Sequence, residues 1–135
     1  MFQKYKNEQL IATKILENSI INNKLSHAYI FETNNYPYAF ELVVEFVKNI
    51  LCKDFNNEDH NESQCPICSQ INTNNYIEFK IIDTDKLQLK KEELLKLQEE
   101  FKNKAIEGTK KIYVIKCAEK LNTASSNTIL KFLEE

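Results

Sequence analysis

One glycine, Gly108, and no arginine stand in a chain of 135 residues. Those two absences matter most at one place. Ala28-Tyr29-Ile30-Phe31 reads as a buried strand and Ala39 to Leu51 as a helix, with Glu32 to Tyr38 as the turn between them. A strand, a short turn and a helix near the start of an α/β domain is the usual setting for a phosphate-binding loop. Such a loop needs glycines so that its backbone N–H groups can close on the phosphates. It also needs a Lys to reach them and a Ser or Thr to hold Mg²⁺. This turn has none of these in place, so no nucleotide is expected there.

Length fits one small domain or part of a larger one. The formal charge of −2 leaves no polyanion-binding footprint. All 18 basic residues are Lys, so bidentate Arg clamps on phosphate or guanine are absent. No apolar run approaches the roughly 20 residues that span a bilayer. Met1 to Lys6 leads into a polar amphipathic stretch and not into a signal-peptide core, so a cytoplasmic protein without membrane contact is expected. The four Cys then read as thiols or metal ligands and not as disulfides.

The spacing of Ile11, Ile15, Leu16 and Ile20 predicts a helix from about Asn7 to Asn22. Pro37 suits the first turn of the helix over 39–51. In that helix Glu41, Glu45 and Lys48 form one polar stripe, and the apolar remainder implies cover on several sides. Cys52 to Asn75 is polar and Asn-rich, and reads as an insertion outside the core. Ile77–Asp83 reads as a strand. Lys90 to Lys104 reads as a surface helix with Leu94, Leu97 and Phe101 inward and with Glu92–Lys96 and Glu100–Lys104 as i,i+4 pairs. Gly108 marks a turn. Ile112-Tyr113-Val114-Ile115 is the continuous apolar run of a strand buried on both faces. Asn122 or Thr123 caps a last helix carrying Ala124, Ile129, Leu130 and Leu133. Strands alternating with helices indicate α/β with a largely parallel sheet.

Four stretches in this order carry a resemblance. They are Asn23 to Phe31; Ile50-Leu51-Cys52 with Cys65-Pro66-Ile67-Cys68; Glu107 to Ile115; and Ala118 to Asn122 with Asn127 to Glu135. Together they resemble the N-terminal AAA+ domain of the bacterial clamp-loader delta-prime family, part of the DNA polymerase III holoenzyme. The likeness runs over nearly the whole chain. It implies a truncated P-loop-type three-layer domain over 1–135, with a parallel sheet of about three strands and a zinc-module-like insertion at 52–75. Set on the family's phosphate loop, the glycine positions carry Thr33, Tyr36 and Tyr38, the lysine position Ala39 and the hydroxyl position Phe40. Lys116 and Cys117 stand where an ATPase of the family has acidic residues. The motor subunits keep both motifs, so a non-ATPase subunit fits better. Its implied partners are the delta and gamma/tau subunits and, through the assembled loader, the sliding clamp and primed DNA. The resemblance also places the family's remaining strands and its arginine-bearing motif after Glu135. Strand 28–31 is then expected to pair with strand 112–115 or to be completed by a second copy of the chain. The competing readings are a degenerate P-loop or zinc adaptor with no role in replication, and a working NTPase.

Cys65 and Cys68 form a metal knuckle, since two thiolates two residues apart can share one tetrahedral ion. Cys52 is the third candidate ligand. The resembled module uses four Cys, but here Glu62 stands three residues before Cys65. The fourth ligand is Glu62, the nearby His60, or none. The metal would be a structural zinc. A redox use of Cys-x-x-Cys would want the pair at a helix N-terminus beside a buried strand, and this pair lies in a polar insertion. Cys117 reads as a small buried hydrophobe and His27 as a structural histidine. The lysines from Lys86 to Lys104 are balanced by acids and read as a solvated face.

Overall fold

The computed structural model describes residues 1–83, 96, 99, 111–121, 123, 126, 127 and 130. The chain divides into two compact units, Met1–Tyr76 and Ile77–Glu135.

The first unit is helical. Helix α1 spans Leu10–Ile21, α2 spans Ala39–Leu51 and α3 spans Pro66–Asn72. Its core is an aromatic cluster around Phe46 of α2. Tyr29 meets Phe46 edge-on at 5.3 Å, with Phe31 at 6.3 Å and Phe2 at 6.4 Å. Phe2, Tyr5, Leu16 and Leu42 complete the buried set. Aromatic pairs at these separations add to the free energy of area burial.

Helix α1 is apolar on more than one side, so spacing alone does not choose its buried face. Thr13 and Leu16 are buried, and Ile20 packs on the cluster. The Thr13 hydroxyl is satisfied by donating to the Gln9 and Leu10 carbonyls at 2.8 and 3.2 Å. Ile11 and Ile15, grouped with Leu16 by periodicity, instead face water. Helix α2 is covered on several sides, as its composition implies, with Leu42, Phe46, Val47, Lys48 and Asn49 buried. Its polar residues turn toward the chain. Glu41 accepts from Lys4 at 3.1 Å, and Asn49 donates to the Glu45 carbonyl at 2.8 Å.

The expected strand over Ala28–Phe31 does not form. The segment alternates, with Tyr29 and Phe31 on the cluster and Ile30 fully exposed, but it is irregular. A strand exists only through a hydrogen-bonded neighbour, and among the described residues no strand pairs with this segment. The expectation that 52–75 lies outside the core also fails. Cys52, Cys68 and Ile71 are buried, and α3 lies within the insertion.

In the second unit β1, Phe79–Asp83, pairs in parallel with β2, Ile112–Lys116, running from Phe79↔Ile112 to Asp83↔Lys116. Among the described residues the sheet has these two strands and not about three. The strand over 112–115 thus has 79–83 as its partner. Its residues Ile112 to Ile115 are half-buried and Lys116 is exposed, where burial on both faces is expected. A 3₁₀ turn follows at Ala118–Lys120. The backbone is helical at Lys96 and Glu99, and at Thr123, Ser126, Asn127 and Leu130. The rest of the helix expected over 90–104, the Gly108 turn, and Ala124, Ile129 and Leu133 lie outside the described residues. Among the described residues no helix is long and apolar enough to cross a membrane.

Candidate metal centre

Cys52 caps the C-terminal end of α2. Its N–H donates to the Lys48 carbonyl at 2.8 Å, and its backbone turns extended, which ends the helix. From there the chain runs in tight turns. Phe55 N–H donates to the Cys52 carbonyl at 3.2 Å, Asn57 to Asp54 at 3.0 Å and His60 to Asn57 at 3.0 Å. The Asn61 side chain accepts from both the N–H and the hydroxyl of Ser63, at 3.1 and 2.7 Å, a local turn of the kind Asn favours. Cys65 is then the N-cap of α3 and Pro66 its first residue, where a missing N–H costs nothing. One helical turn sets Cys65 and Cys68 on the same side.

The outcome is a single cluster. One ligand atom each from Cys52, His60, Cys65 and Cys68 lies within 4.8 Å of every other. The Cys52 and Cys65 sulfurs are 3.8 Å apart, and His60 Nε2 is 3.6 Å from the sulfurs of both Cys52 and Cys68. A zinc tetrahedron with Zn–S of about 2.3 Å and Zn–N of about 2.0–2.1 Å has S···S edges near 3.8 Å and S···N edges near 3.6 Å. The donor set therefore fits such an ion in chemistry and in spacing, and this cluster could bind a metal such as zinc. The His60 ring is braced by Phe55 at 5.4 Å.

The three thiols differ in environment. Burial pushes Cys52 and Cys68 up. The Cys68 backbone N–H, and after it the His60 ring, hold Cys65 down to about 6. A bound cation would override this order, since a coordinating thiol is deprotonated outright. None of the four Cys is in a disulfide. Beside the cluster opens a polar cleft of about 450 Å³, with Asp54, Asp59 and His60 in its wall.

Of the two candidates for a fourth ligand, His60 joins the cluster. Glu62 turns away to form an ion pair with Lys48 of α2, and its carboxyl is held below the usual range chiefly by that hydrogen bond. Sequence reasoning missed Lys48 as a partner of this loop. The available signal was a lone Lys between Val47 and Asn49 in a mostly apolar helix, buried to 6% exposure. It also missed Asn56, which donates to the Asn49 side chain at 2.7 Å and ties the loop to α2.

The phosphate-loop positions lie at the other end of α2. Asn34 and Asn35 take φ of 44° and 65°, the left-handed region that glycine would otherwise supply. Tyr36 N–H closes the turn on the Thr33 carbonyl at 2.8 Å. The Tyr36 and Tyr38 rings meet edge-on at 5.9 Å, and Ala39 and Phe40 begin the helix half-buried. In the second unit Lys116 ends β2 exposed, and Cys117 follows it half-buried at φ 57°. His27 is exposed and, like Cys117, is not among the four clustered donors.

Residues 8–135 match the family described as DNA polymerase III, delta subunit. The chain is 34% identical over 122 residues to DNA polymerase III subunit delta′ of Bacillus subtilis, covering 90% of this chain and 36% of that protein. It is 32% identical over 123 residues to DNA polymerase III subunit gamma/tau of Mycoplasma genitalium, covering 90% of this chain and 20% of that protein. With the gamma/tau subunit of Mycoplasma pneumoniae the identity is 30% over 145 residues, covering this whole chain and 20% of that protein. The chain thus spans between a fifth and just over a third of the relatives it matches. No solved structure matches it.

Proposed function

The chain belongs to the DNA polymerase III delta-prime subunit family, and from that premise we propose that it serves as a non-ATPase subunit of a bacterial clamp loader. In that role it is a structural component in setting the sliding clamp on primed DNA. Its partners are the delta and gamma/tau subunits, and through them the clamp and the DNA. The observation that carries this is the pairing of likeness to a delta-prime subunit with the side chains of the turn before α2. Thr33, Tyr36 and Tyr38 put Cβ atoms and rings where a phosphate cradle needs bare backbone. Ala39 and Phe40 offer neither an ammonium nor a hydroxyl, and Lys116 and Cys117 no carboxylate for Mg²⁺. On this account residues 1–135 are part of an AAA+ domain that acts as a scaffold.

The gamma/tau likenesses favour one second reading, a nucleotide-binding motor. Equilibrium binding of radiolabelled ATP separates the two: the scaffold predicts no saturable binding in the micromolar range, and the motor predicts it. Capture of purified delta and gamma/tau by the protein tests the assembly itself, and failure to retain either one contradicts it.

The Cys52, His60, Cys65 and Cys68 donors suit a structural zinc. Four protein ligands would leave no open position for water or substrate. The ion would cross-link the end of α2 to the start of α3.

A further inference from the structure

Glu62 occupies a revealing place. It lies two residues after His60 and three before Cys65, in the stretch that carries the ring to the cluster. Its carboxylate takes the Lys48 ammonium of α2, and its backbone carbonyl accepts from the Cys65 N–H at the start of α3 at 3.3 Å. Those two helices carry the other ligands: Cys52 sits just past α2, and Cys65 and Cys68 sit at the start of α3. Glu62 therefore ties together the three pieces of chain whose donors converge, its side chain reaching α2 and its carbonyl the start of α3.

Lys48 makes this tie costly to break. Its side chain is 8% exposed, and a buried ammonium is tolerated only with a partner. Glu45, one turn earlier on α2, lies near enough to feel the Lys48 charge, but the Lys48 ammonium pairs with Glu62. The ion pair is formed with Glu62, across 14 residues of sequence. Groups that hold a metal's ligands in place are commonly hydrogen-bonded carboxylates of this kind.

We propose that Glu62 and Lys48 are positioning residues for the metal: their ion pair pins the 60–64 turn against α2 and holds His60 Nε2 at the fourth corner of the cluster. This rests on the metal reading above. Glu62 is not among the four clustered donors; it acts through the turn.

The test uses Glu62→Gln, which removes the charge and keeps the length. The Glu62 side chain is 46% exposed and Gln keeps an oxygen that can accept from Lys48, and each variant is compared only where its helical circular dichroism matches the parent's. Co²⁺ is titrated into the metal-free protein, followed by competition with Zn²⁺, at a temperature where the apo chain retains its helical circular dichroism. The parent should bind one equivalent with the absorption of a three-sulfur, one-nitrogen tetrahedral site. The Glu62→Gln variant should bind roughly 10–100-fold more weakly with the same stoichiometry. Lys48→Met should weaken binding by a similar factor, and the double variant by no more than either single one. An affinity in Glu62→Gln within twofold of the parent would overturn the positioning role while leaving the metal site standing. A parent that binds no metal would overturn both.

Discussion

The two ends of α2 make opposite use of the same helix. At Ala39 the preceding turn carries the rings of Tyr36 and Tyr38, which meet edge-on at 5.9 Å. At Leu51 the chain gathers four ligand atoms within 4.8 Å. Helix N-termini favour anions and C-termini favour cations, so both kinds of site are available to such an element. In this chain the first end carries tyrosine rings, and the second carries four donors that could bind a metal such as zinc. The lesson concerns what each site demands. A phosphate cradle needs bare backbone over several residues, and one Cβ or ring spoils it. A metal knuckle needs only four suitable donors, and here His60, two residues before Glu62, joins the three cysteines.

The largest expected effect lies at the metal end. Cys68→Ser changes a fully buried donor, and should cut metal affinity by at least about 100-fold and lower Tm by roughly 10–20 °C, because binding and folding are coupled. Calorimetry of the zinc-loaded and chelated forms checks this. A Tm unmoved by chelation would remove the contrast between the two ends.

Phe46→Ala strikes the aromatic cluster between them. It should cost about 3–5 kcal/mol in urea denaturation. Zinc content should stay at one equivalent below the unfolding transition. Loss of zinc at low urea would show that the two ends are not independent.

A smaller effect is pH-dependent. Burial, and after it the Glu41 charge, pushes the Tyr5 hydroxyl up from 10.0 to about 12. The folded state then holds the proton more tightly than the unfolded one. Its contribution is fully present below pH 10 and is lost as pH rises toward 12, by roughly 1–2 kcal/mol. Tyr5→Phe should flatten that alkaline slope, which denaturation curves at stepped pH would reveal. An unchanged slope contradicts the assignment.

The smallest effect tests the turn. Asn35 sits at φ 65°. Asn35→Val should cost roughly 1 kcal/mol, since a β-branched residue resists the left-handed region, and Asn35→Gly should be nearly neutral. Chemical denaturation of the pair would detect the difference, and equal stability would argue against a left-handed turn.

What could be read in advance followed the range of the interactions. Helix α2 was legible to the residue because its pattern is local and its stop, Cys52, is a cap. The cysteine knuckle was legible because its ligands lie close in sequence. The choice of His60 over Glu62 was not, because it depends on Lys48, 14 residues from Glu62. Strand 28–31 has the composition and alternation of a strand, but ladder formation is a property of two segments. Helix α1 misled because Leu10, Ile11, Ile15 and Ile21 are exposed alongside a buried face that includes a threonine. A hydroxyl that bonds back to its own helix can be buried where spacing would place an isoleucine.

The central claim, that the far end of α2 is built around a tetrahedral cation, is tested most directly by X-ray absorption at the zinc edge on protein purified without added metal. The account predicts one zinc per chain with three sulfurs at about 2.3 Å and one nitrogen at about 2.0–2.1 Å. A folded protein without zinc, or a shell dominated by oxygen, would contradict it.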